Sequence, residues 1–69
     1  MKISYIVENQ EKQVIEYFKC LRDAQRFVVK EFDKGYTILA VKGHSFGEGY
    51  HWYKLTLRNN LTFKREKLI

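Results

Sequence analysis

Tyr50-His51-Trp52-Tyr53-Lys54-Leu55-Thr56-Leu57-Arg58 is the stretch on which the reading of this chain turns. It holds no glycine or proline and is rich in aromatic and aliphatic residues, so it reads as a strand. Alternation then sorts its side chains. One face carries His51, Tyr53, Leu55 and Leu57, which suits a core. The other carries Tyr50, Trp52, Lys54, Thr56 and Arg58, joining two rings to two cations. That mixture suits a contact surface better than an interior.

The next residues decide how large that surface is. Asn59-Asn60 offers a tight turn, because asparagine tolerates positive φ. Leu61 to Lys67 then reads as a returning fifth strand, with a short closing helix as the alternative. A two-residue turn pairs Arg58 with Leu61, Thr56 with Phe63 and Lys54 with Arg65. Paired residues share a face, so Tyr50, Trp52, Lys54, Arg58, Phe63 and Arg65 become the candidate binding set. A longer turn shifts the register by one and sends Leu61 and Phe63 to the core instead.

Upstream, Lys2 to Glu8 reads as a first strand, with Ile3, Tyr5 and Val7 on one face. Asn9-Gln10-Glu11 suits a turn, and Lys12 to Phe18 a second strand. Its facing is open: either Val14 with Phe18, or Ile15 with Tyr17, points inward. Residues 21–34 carry the clearest helical pattern, with Leu21, Ala24, Phe27, Val28 and Phe32 on one stripe. Cys20 falls at the N-cap, and Gly35 is a natural C-terminal stop. Tyr36 to Lys42 reads as a third strand, and the glycine-rich Gly43 to Gly49 as a hairpin connection. The expected fold is α+β. It is one small domain over residues 1–69, with an antiparallel sheet of four or five strands in the order ββαββ(β). One helix packs on one face of it, which leaves the other face open.

Size and composition bound the function. In 69 residues, 45% apolar and 30% charged residues are globular values. The 16% of aromatics fits a small core built from large rings. No apolar run is long enough to span a bilayer, and the N-terminus lacks the apolar segment of a signal peptide. A lone cysteine forms no internal disulfide, so a cytoplasmic location is expected. Net charge is +5. Residues 1–35 hold seven Lys/Arg against six Asp/Glu, whereas residues 36–69 hold six against two. The excess lies in the half that contains the Tyr50–Arg58 strand, which favours an anionic partner.

Catalytic patterns are weak. Cys20, between Lys19 and Arg22 at a helix start, has the setting of a low-pKa thiol but no surrounding signature. His44, Glu48 and His51 match no metal-ligand spacing. The glycine-rich segment lacks G-x4-G-K-[ST] and joins strands, so it is no phosphate loop. Carboxylates are not paired. No enzyme activity, metal or cofactor is therefore expected.

Two roles remain. Cations neutralise phosphates and exposed rings stack on bases, so a sheet face of this composition suits nucleic acid, DNA or RNA. The same residue types concentrate energy at protein interfaces, which makes an acidic protein surface the rival partner. An exposed edge strand also permits a dimer as well as a monomer. In size and style the chain looks like the small open reading frames of phages and other mobile elements. That likeness implies a nucleic-acid binder or an inhibitor of a host protein.

Overall fold

Five strands and one helix form in the computed structural model, which describes residues 2–43 and 50–68, with side chains for all but Lys2 and Tyr50. They are β1 (Lys2–Glu8), β2 (Val14–Phe18), α1 (Leu21–Lys30), β3 (Thr37–Gly43), β4 (Tyr50–Leu57) and β5 (Phe63–Lys67). The sheet is antiparallel throughout, and its spatial order is β2-β1-β3-β4-β5. The five-stranded sheet with one helix is as expected. The strands do not simply follow chain order, because α1 carries the chain from edge strand β2 across β1 to β3.

The apolar stripe of α1 packs over β1, β2 and β3. Ala24 and Val28 meet Val7, Ile38, Ala40, Tyr53 and Leu55 in the core. Val7, Ile38 and Val28 are the largest fully buried side chains, each stabilising by about 1.5–3 kcal/mol. Phe27 extends the contact sideways, its ring 5.6 Å from Phe18 and stacked 5.8 Å from Tyr36. The helix is shorter than the sequence pattern implies. It ends at Lys30, and a 3-10 turn over Phe32–Lys34 follows. Phe32 thereby leaves the buried stripe and is 66% exposed. Gly35, expected to stop the helix, instead ends the 3-10 turn that follows it, at φ +69°, and a Cβ there would press on the Gln10 amide. Cys20 does occupy the N-cap, but makes no side-chain cap bond and is exposed.

Both outer hairpins are built alike. In each, a β-turn bond is followed by a residue in the left-handed region, and a second bond closes a three-residue loop. The Lys12 amide donates to the Asn9 carbonyl and the Asn9 amide to Gln13; Lys12 has φ 64°. The Leu61 amide donates to the Arg58 carbonyl and the Arg58 amide to Thr62; Leu61 also has φ 64°. Asparagine side chains brace both. Asn9 Oδ1 accepts from the Glu11 and Gln13 amides, and Asn60 Oδ1 from the Thr62 amide and hydroxyl. The two-residue Asn59-Asn60 turn is therefore replaced by the loop Asn59-Asn60-Leu61. Leu57 pairs with Phe63, and Leu55 with Arg65.

Candidate functional site

That register moves Phe63 and Arg65 to the side of the sheet on which α1 lies. Paired residues share a face, so rows can be followed across the strands. One row runs Val7–Ile38–Leu55–Arg65, and the next Tyr5–Ala40–Tyr53–Lys67. Both begin beneath α1 and end beyond it, on β4 and β5. Phe63 packs against the core margin beside Leu57, whereas Leu61 is exposed in the loop.

A second irregularity moves Trp52. Ala40 pairs with Tyr53, but Val41 pairs with His51, so Trp52 is an extra residue in a β-bulge. The bulge breaks the alternation and turns Trp52 and Tyr53 to the same side. Their rings meet edge to face, 5.2 Å apart, and Trp52 packs against the core. His51 is sent to the opposite side with Val41 and is exposed, so it is not the end of the inward row.

Two cations close over these rings. Lys42, which pairs with Ile3 on the helix side, holds its ammonium 3.9 Å from the Trp52 ring centroid. The Arg65 guanidinium lies 4.2 Å from the Tyr53 centroid and 5.8 Å from that of Trp52. Each contact is an attraction of charge to the ring's negative face, worth about 0.5–1 kcal/mol at partly exposed sites. Burial, first, then the hydrogen bond that the Tyr53 hydroxyl donates to Tyr5 and the nearby Tyr5 phenol raise the Tyr53 pKa above its usual value; Arg65 pulls it down by less.

The six sequence-derived candidates are thus divided. Trp52, Phe63 and Arg65 come together on the helix side. Lys54 faces away, paired with Leu39 and Glu66. Its aliphatic stem helps cover Leu39, which is only 6% exposed at the floor of a shallow depression lined by Glu8, Lys12, His51 and Lys54. Arg58 lies just before the hairpin loop, where its backbone closes the turn. Tyr50 pairs with Lys42 through its backbone, and its side chain is outside the described residues. Lys42, Tyr53 and Lys67 join the site instead. Lys42 could have been found by pairing β3 with β4 across the glycine-rich connection, since it faces Tyr50 there.

Charge is segregated by face. Among the described residues, the helix side of β3, β4 and β5 carries Lys42, Arg65 and Lys67 and no acid. The far side mixes Lys54 and Lys64 with Glu8 and Glu66. Among the described residues, no cluster of His, Cys, Asp and Glu is placed to hold a metal. His44, Phe46 and Glu48 lie outside them. No described helix is long and apolar enough to cross a membrane. No known protein family, curated protein or solved structure matches the chain.

Proposed function

We propose that the protein is a non-enzymatic module that binds nucleic acid through the helix side of β3, β4 and β5. The observation that carries this reading is the one-signed cluster of Lys42, Arg65 and Lys67, the first two braced on Trp52 and Tyr53 and the third paired with Tyr53 across the strands. Cations held on a rigid platform lose little freedom when they meet phosphates, and they release the counterions condensed there. The rings act first as supports. Lys42 and Arg65 lie over them, so base stacking would have to displace a cation. Phosphate contacts are therefore the main source of affinity. Titration of a labelled oligonucleotide at two salt concentrations tests this. Affinity should fall steeply with salt, by about 0.7–0.9 log units per log unit of salt for each phosphate contacted. Absence of binding at low salt would remove the proposal.

A second reading, as a protein-binding module or inhibitor, draws on a different place. Edge strand β2 exposes Val14, Ile15 and Tyr17, with Tyr17 61% exposed. Unpaired strand edges with apolar side chains invite a partner strand. Capture of one specific protein that survives nuclease, and is lost on Tyr17→Lys, would favour this reading over the first.

A further inference from the structure

The outward surface of α1 carries a second row of cations. Arg22, Arg26 and Lys30 follow i, i+4, i+8 spacing, so they form one ridge with about 6 Å of rise between neighbours. All three are exposed. With Gln25 and Val29 they line a shallow depression that contains no acid. Asp23 lies on the flank of the ridge. Because α1 packs on the same side of the sheet as Trp52 and Arg65, the ridge and the sheet patch face one way. The ridge stands a layer above the sheet, and β4 and β5 lie beside it as a lower step.

We propose that this stepped surface binds duplex DNA, with α1 entering the major groove and the Lys42, Arg65 and Lys67 patch meeting the phosphates of a bordering strand. The inference rests on the nucleic-acid reading and specifies its ligand class. Three observations favour a duplex over a single strand. The rings that would stack unpaired bases are already covered by Lys42 and Arg65. The cations form two groups at different heights, and a duplex presents phosphates on both sides of a groove. The ridge belongs to a ten-residue helix, and a helix with its side chains is about 10–12 Å across, against a B-DNA major groove about 12 Å wide. The deep, narrow major groove of duplex RNA does not admit one.

The test compares duplex DNA, duplex RNA and single-stranded DNA of one sequence and length, with the intact chain and two variants. The first variant is Arg22→Gln/Arg26→Gln/Lys30→Gln, whose sites are exposed; a thermal melt checks its fold. The second is Lys42→Ala/Arg65→Ala. The intact chain should prefer duplex DNA. The triple variant should lose roughly tenfold or more of that affinity, with a salt slope shallower by about 2.7 for three lost phosphate contacts. Equal binding of duplex RNA, or a folded triple variant that binds duplex DNA like the intact chain, would overturn the groove-entry model. If single strands then still bind and the double variant loses them, the sheet-patch reading stands alone. If the triple variant loses binding and the double variant does not, the sheet patch fails and the helix ridge remains. Failure to bind any of the three probes would remove both.

Discussion

The two halves of the helix side are covered by different means. Over β1 to β3 the cover is α1, whose Ala24 and Val28 bury Val7 and Ile38 completely. Over β4 and β5 the cover is side chains of the sheet itself: Lys42 on Trp52, and Arg65 on Tyr53. A chain with one ten-residue helix cannot roof a five-stranded sheet. Long cationic side chains complete the roof, with apolar stems and ring contacts below and charge above. The lesson is that one act of packing both shields the core margin and concentrates positive charge. A basic surface follows from how the small core is finished.

Mutations should separate the two covers. Ile38→Ala, under the helix, should cost about 2–5 kcal/mol, read as a loss of denaturation midpoint, since it opens a cavity in the tightest part of the core. Arg65→Ala, which removes part of the cationic cover, should cost only about 0.5–1 kcal/mol of stability, because its contact is partly exposed. A cost as large as that of Ile38→Ala would show that the cationic cover is as structural as the helix.

Tyr53 gives the pH counterpart. Its folded-state pKa is raised, chiefly by burial, so the native state holds a proton that the unfolded chain releases above about pH 10. Its contribution is intact below that value and is lost as pH rises through the higher folded pKa. Stability should therefore decline in alkali, and Tyr53→Phe should flatten that decline. An unchanged alkaline limb in Tyr53→Phe would assign it elsewhere. An effect as small as that of Arg65→Ala, but of opposite sign, is expected at Leu61, whose left-handed backbone strains a side chain. Leu61→Gly should raise stability by about 0.5–1 kcal/mol in thermal unfolding, and Lys12→Gly likewise.

Much of the fold could be read from the chain. The strands and the start of the helix at Leu21 follow from periodicity, and the left-handed Gly35 from the conformational freedom of glycine, although it ends the 3-10 turn and not the helix. The site was harder to read, because two local events decide it. The Trp52 bulge reverses the facing of His51 and Trp52, and strict alternation contains no signal for an inserted residue. The β4–β5 loop places a leucine in the left-handed region, where sequence leads one to expect glycine or asparagine. The bonds from Thr62 to Asn60 hold it there, while Asn59-Asn60 alone suggests a shorter turn. The longer-turn alternative sends Phe63 to the core side, as the structure has it, but also Leu61, which the loop leaves exposed. It also sends Arg65 there, where the guanidinium finds Tyr53. At β2 a similar bulge, between the pairs Val7–Glu16 and Glu8–Val14, leaves Phe18 inward and Val14, Ile15 and Tyr17 exposed.

On the proposed reading, binding belongs to one face of the sheet. Matched charge removal checks this, comparing Lys42→Ala/Arg65→Ala with Lys54→Ala/Lys64→Ala in oligonucleotide titrations at low salt. Both pairs lower the net charge by the same amount. The first pair should weaken binding by roughly tenfold or more and make its salt slope shallower by about 1.5–2, while the second should change both little. Equal losses from the two pairs would mean that net charge alone governs binding, and would contradict that reading.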